Sequence, residues 1–288
     1  MVELKNDILS VLISEKGAEI HSIKDKNGLE FIWQGAEKCW SDHAPTLFPV
    51  VGRLREKYYT YKGKTYSLPI HGFAPKALFE IDQESDTKVT FVLRDSQETR
   101  EVYPFSFTFK VIYTLSGNSL KVSYNVQNDG DDDMYYAVGG HPGFNHPITS
   151  GSDPSKYYLE FDEETTPLAV GITEDGFITR DREPFALIDD KKLPLYPKEI
   201  FVPTIIFEKM SKGVTMKSSN TMHSVHLRYD DFDYLALWRG SRGDYFCIEP
   251  WAGQPDCMGD GHDLTEKFAM NTLKKGEIKE HSFTITIK

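Results

Sequence analysis

Cysteine is scarce. Cys39, Cys247 and Cys257 are the only three in the 288-residue chain, an odd number with no Cys-x-x-Cys pair. That argues against a disulfide scaffold and suits a reducing compartment, so a cytoplasmic setting is expected. Positive charge is also short: 33 lysines and arginines face 44 acids, for a net charge of −11. Recognition of a phosphate backbone or an anionic lipid surface needs a basic cluster, and none stands out, so neither nucleic acid nor membrane is expected as a partner. No apolar run is long enough to span a bilayer. The opening Met1-Val-Glu-Leu-Lys-Asn-Asp7 has neither the basic region nor the apolar core of a secretory signal. Helical periodicity is poor as well, with short candidates only around Trp40 and from Leu264 to Leu273.

Period-two alternation is abundant. Phe105, Phe107, Phe109, Val111 and Tyr113 recur at every second position. After the turn Ser116-Gly117-Asn118, Leu120, Val122, Tyr124 and Val126 do the same, so residues 105 to 126 read as a hairpin. Similar runs occupy Ile8 to Ile13, Val89 to Leu93, Val225 to Tyr229, Tyr234 to Trp238 and Phe283 to Ile287, and Tyr58 to Tyr66 reads as a second hairpin around Lys62-Gly63. The acidic run Asn128 to Asp133 is expected to be a solvated turn. Thr165 to Pro203, with five prolines and weak periodicity, is expected to be a long loop excursion packed on the sheets. Many strands, Gly/Pro turns and few helices predict an all-β fold, a large two-sheet β-sandwich with very few short helices. With no clean boundary or repeat, residues 1 to 288 are read as a single domain; all-β domains commonly exceed two hundred residues.

Four motifs carry polar groups on strand or turn scaffolding: Pro49-Val-Val-Gly-Arg53, Leu68-Pro-Ile-His-Gly-Phe73, Gly139-Gly-His-Pro-Gly-Phe144 and Cys247-Ile-Glu-Pro-Trp251. They supply Arg53, His71, His141 and Glu249, each bracketed by Gly, Pro or aromatics that fix the backbone, a pattern that favours a concave site. His141 follows a β-like run and Glu249 ends one, and an imidazole with a carboxylate suits proton transfer at a small polar substrate. Cys247 shares a strand face with Glu249, but a thiol beside a carboxylate is less readily ionised, so it is not read as a nucleophile. The spacings of His141, His146, His262 and Asp263 match no metal-ligand motif, and no metal is expected.

The order Leu47-Phe-Pro-Val-Val-Gly-Arg53, His71-Gly-Phe-Ala74, Tyr103-Pro-Phe105, Gly139-Gly-His-Pro-Gly-Phe-Asn145, Ile248-Glu-Pro-Trp251 and Asp263-Leu-Thr-Glu-Lys267 resembles the aldose 1-epimerase (galactose mutarotase) family, and within it the LacX-like branch. The resemblance runs through the whole chain. It implies a β-supersandwich with a sugar site on a concave face, an activity that interconverts α and β anomers without a cofactor, and a small-molecule sugar as substrate in a monomer or homodimer. By the same resemblance His141 is the general acid, Glu249 the general base, and His71 and Arg53 hold sugar oxygens. Members of the family tend to carry an acid just before an apolar strand where Pro203-Thr-Ile-Ile-Phe-Glu208 stands here. Thr204 takes that place, and a hydroxyl bonds differently from a carboxylate.

Bland alternatives stay open for several of these residues. His71 between Ile70 and Phe73 is also explained as a packing histidine, and either Arg53 or Arg55 suits the surface. Trp238 and Trp251 are candidates to stack on a sugar face or to fill the core. Two other functions compete: a sugar-binding or sensing protein that keeps the cleft without turnover, motivated by Thr204, and a hexose 6-phosphate mutarotase, for which Arg53 and Arg55 are the available cations. A glycosidase would want two carboxylates across the bond, where the motifs offer one.

Overall fold

The computed structural model describes residues 1–201 and 204–288. Two antiparallel sheets dominate. The first has nine strands in the order Lys192–Pro194, Tyr157–Phe161, Gly213–Ser218, Val225–Arg228, Ile278–Ile287, Ser119–Asn128, Phe107–Ser116, Lys88–Arg94 and Glu80–Ser85. The second runs Ile178–Pro184, Leu168–Ile172, Ile205–Glu208, Tyr234–Trp238, Tyr245–Ala252, Val138–Gly140 and Thr46–Leu47, with Gly143–Asn145 also paired to Tyr245–Ala252. A three-stranded N-terminal sheet (Val2–Lys5, Leu9–Ser14, Glu19–Asp25) and two small ribbons complete the β structure.

Alternation in the sequence decides which face each strand buries. In Phe107–Ser116 every second side chain is fully enclosed, and the hairpin partner Ser119–Asn128 pairs with it from Ser119 opposite Ser116 to Asn128 opposite Phe107. The facing sheet supplies Phe207, Leu235, Leu237, Phe246 and Ile248 to one continuous core that draws on residues from Val2 to Ile287. Phe48 stacks on Phe109 at 4.4 Å, and Phe161 meets Phe207 edge-on at 6.4 Å, so aromatic rings bridge the layers. Each such side chain withdrawn from water contributes about 1.5–3 kcal/mol, which makes this interface the main source of stability.

The other face of the eight-stranded sheet carries a smaller cluster around Leu47, Val170, Ile206, Ala236 and Trp251. Strand Tyr245–Ala252 shows the division: Phe246, Ile248 and Ala252 join the large core, Trp251 joins the smaller cluster, and Cys247 lies beside Glu249 and His141. Every residue of this strand is buried, which marks the centre of a covered sheet rather than a solvated edge.

The expected loop from Thr165 to Pro203 is not one. It contains Leu168–Ile172, Ile178–Pro184 and Lys192–Pro194, although Pro203 itself lies outside the described residues. Two of its prolines end strands, where the missing N–H costs no ladder bond. The helix candidates also fail. Around Trp40 a tight turn closes by Ala36 N–H donating to the Trp40 carbonyl at 2.8 Å, and between Leu264 and Leu273 the chain forms turns and then strand Asn271–Leu273. The one α-helix among the described residues is Gln97–Val102, started by a capping box in which Ser96 and Thr99 exchange hydrogen bonds. The acidic run ends in surface ion pairs: Lys275 to Asp131 at 2.7 Å, Lys62 to Asp132 at 2.6 Å, and Lys274 to Asp133. Among the described residues no helix is long and apolar enough to cross a membrane.

Candidate active site

Sheet register brings His141 and Glu249 together. Gly139 pairs with Trp251 and Gly143 with Cys247, so His141, between the two short strands, falls opposite Glu249. The His141 N–H donates to the Pro45 carbonyl at 3.1 Å, which fixes the turn, and Nε2 lies 3.2 Å from Glu249 Oε2. Glycine is required at 143, because a Cβ there would sit 2.4 Å from the Trp40 ring.

Above the pair opens a cavity of about 560 Å³ on the face of the eight-stranded sheet that carries Ile206 and Trp251. His141 and Glu249 line it, together with Arg53, His71, Trp238, Trp251 and Thr204. All seven residues considered from the sequence as catalytic or sugar-binding groups therefore line one hollow. Arg53 is the arginine that faces it; Arg55 turns away, its guanidinium donating to the Asp260 carbonyl and its backbone N–H to Asp256 at 2.7 Å.

His71 is held in an unusual backbone state. Its φ is +64° and its N–H donates to the Gly52 carbonyl at 2.9 Å. The Gly52 N–H in turn donates to His71 Nδ1 at 3.1 Å. With Nδ1 occupied as an acceptor, the neutral ring carries its proton on Nε2 and offers a donor. The next residue, Gly72, has φ +74° and would place a Cβ 2.2 Å from the Phe48 carbonyl oxygen, so the His-Gly pair is a backbone requirement.

Burial sets the charge states. It pulls the His141 imidazole down to about 4, with Asp42 and Glu19 opposing weakly. It pushes the Glu249 carboxyl well above its ordinary value, against a smaller pull from the Trp251 side chain. His71 is lowered by burial first, then by His141 and Arg53. Burial raises the Cys247 thiol, and the Glu249 carboxylate raises it further. The low dielectric thus favours uncharged forms of both His141 and Glu249, so the one acidic proton of the pair rests on the carboxyl.

Several lining groups carry no motif in the sequence. Trp40 stands 5.1 Å from the His141 ring and 5.5 Å from Trp238, forming an aromatic wall with it. Asp42 pairs with Lys76 at 3.0 Å on the rim, and Glu174 and Asp175 approach from the turn between Leu168–Ile172 and Ile178–Pro184. These residues sit in loops without periodicity; the only hint of Trp40 is a tryptophan in an otherwise polar, Gly- and Pro-flanked stretch.

This antiparallel two-sheet sandwich, with its cavity on one face of the eight-stranded sheet, is a galactose mutarotase-like fold. The chain belongs to the aldose 1-epimerase family, whose family model matches residues 1–286. It is 32% identical over 296 residues to the chromosomal Protein LacX of Lactococcus lactis subsp. lactis, covering 99% of both chains. Among solved structures it is similar to a galactose mutarotase related enzyme from Lactobacillus acidophilus, with 35% identity, a TM-score of 0.94, and 100% and 97% of the two chains covered. It is likewise similar to a galactose mutarotase-like protein from Lactobacillus casei, with 31% identity, a TM-score of 0.93 and both chains covered in full.

Proposed function

We propose that this chain, as a single domain spanning residues 1–288, is a cofactor-independent mutarotase that interconverts the α and β anomers of an uncharged aldohexose. The observation that carries the reading is the approach of His141 Nε2 to Glu249 Oε2 at the floor of a sugar-sized cavity. Opening a pyranose requires one proton to leave the O1 hydroxyl and one to reach the ring oxygen O5. A hydroxyl donated to Glu249 stabilises its carboxylate, and the proton held by the pair passes to His141. Glu249 then takes the O1 proton while His141 gives its own to O5. The C1–O5 bond breaks and the O1 lone pair forms the carbonyl. Rotation about C1–C2 and the reverse transfers close the ring on the other face. Each positioned group contributes on the order of 10²–10⁴-fold.

His71 Nε2–H and Arg53 donate to sugar oxygens in this reading, Thr204 supplies a hydroxyl, and Trp238 offers an apolar face. The substrate is unphosphorylated because the rim sets Asp42, Glu174 and Asp175 against Arg53 and a Lys76 already paired with Asp42. A cytoplasmic location as monomer or homodimer fits the reading, since free aldoses and reduced thiols occur together there.

Polarimetry on freshly dissolved α-aldoses and their 6-phosphates tests it. Accelerated decay of rotation for the free sugars and little for the phosphates is expected. Saturable sugar binding without acceleration would instead favour a sensor on the same scaffold, the reading that Thr204 motivates.

A further inference from the structure

We propose that His141, Cys247 and Glu249 form a binding site for a thiophilic divalent cation, zinc above all, and that its occupancy shuts off proton transfer. The binding half stands on geometry alone, and the inhibitory half rests on the roles given above to His141 and Glu249.

One imidazole nitrogen, one thiol sulfur and one carboxylate oxygen lie within 4.8 Å of one another, all on buried residues. Around a tetrahedral zinc, neighbouring donors are about 3.3–3.8 Å apart. The 3.2 Å gap between His141 and Glu249 is close to that already, and small side-chain rotations bring in Cys247. The sheet places all three: Cys247 and Glu249 are two apart on one strand face, and His141 crosses from the adjoining turn.

A second observation points to a ligand. Glu249 Oε2, on a side chain 1% exposed, is buried without a hydrogen-bond partner among the described residues. Buried polar atoms are nearly always satisfied, so an unpartnered carboxylate oxygen on a cavity floor suits a sugar hydroxyl or a cation as its partner. The donor set chooses the cation. Sulfur and imidazole nitrogen suit zinc, whereas magnesium and calcium require oxygen cages. Three protein donors leave a fourth position toward the cavity.

Binding starts from the resting pair and an intact thiol. One proton leaves Cys247 Sγ and one leaves the Glu249 carboxyl, both to solvent. His141 keeps its ring proton on Nδ1 and gives the Nε2 lone pair to the metal. No electron is transferred. The two atoms that would shuttle protons to the sugar, Nε2 and Oε2, are then both occupied.

Cobalt(II) added to the full-length protein tests the site spectroscopically. One equivalent is expected to give an intense thiolate-to-cobalt charge-transfer band, displaced by zinc. Cys247→Ala abolishes the band and weakens zinc binding in equilibrium dialysis by more than about 100-fold, the upper end of what losing an outer-shell partner costs. Its mutarotation persists and resists zinc. Cys247→Ser serves the same purpose should the alanine variant fold poorly. Cys39→Ser, which removes the exposed thiol, leaves the band and the inhibition unchanged. No charge-transfer band, or zinc affinity unaltered in both Cys247 variants, would overturn the site. Zinc bound at one equivalent with turnover unimpaired would overturn the switch. A cobalt band in a protein with no turnover when metal-free would uphold the site and sink the mutarotase reading alone.

Discussion

His141 Nε2 and Glu249 Oε2 stand 3.2 Å apart although they come from different halves of the chain. Neither is held by the other: the imidazole is placed by a turn between two short strands and the carboxylate by the strand those two pair with. Substitution of either should therefore remove chemistry while sparing the fold.

Glu249→Gln and His141→Asn are each expected to lower kcat for mutarotation by about 10²–10⁴-fold, with unchanged circular dichroism. Because the two act as one proton relay, the double variant should be little worse than the poorer single one. Polarimetric kinetics on the three proteins decide it, and full activity in either folded single variant refutes the assigned roles.

The acid limb of the pH–rate profile should fall near pH 4. A second proton on the pair needs His141, which burial holds at about 4, so the relay keeps its acceptor until the pH drops that far. An exposed histidine would lose activity near its ordinary value of about 6.5. Measuring kcat/KM from pH 3.5 to 9 separates the two, and a midpoint near 6.5 contradicts the burial argument.

Stability should fall on acidification before any carboxylate titrates normally. His146 is 1% exposed and burial lowers it to about 4, below its unfolded value. The native state thus binds fewer protons than the unfolded chain between those two values. Its contribution is complete above about pH 6.5 and is lost as the pH falls to about 4, a change of roughly 3 kcal/mol. Urea titrations at pH 7 and pH 4.5 read the difference, and His146→Gln should remove its share while leaving that of His141 and His71, which burial also lowers.

Trp40→Ala should raise KM for the sugar by about tenfold and change kcat little, because the ring walls the cavity beside His141 without reaching protons in transit. A loss confined to kcat would mean instead that Trp40 positions the imidazole.

Sequence alone reveals the interior strands and the polar residues at their ends. The Phe107 hairpin alternates cleanly because one face of it is dry, whereas Tyr234–Trp238 is apolar at every position and buried through its centre, so it stands out as a short apolar run and not by its period. Leu168–Ile172 and the edge strand Ile178–Pro184 escape notice because each buries a single side chain, so burial writes no period into them. The helix Gln97–Val102 has no buried residue, and only its cap marks it. His141 and Glu249 announce themselves through their Gly and Pro neighbours. Trp40, Glu174 and Asp175 reach the cavity from irregular turns, whose course depends on distant packing that no local pattern encodes.

The strand that bears Glu249 is enclosed along its whole length. A slip of one residue would swing the carboxylate into the hydrocarbon layer, so the reactive centre tolerates almost no drift. The surrounding turns are under no such constraint. New sugar preferences are best sought by grafting residues 173 to 177 or 35 to 43, leaving the central ladder untouched.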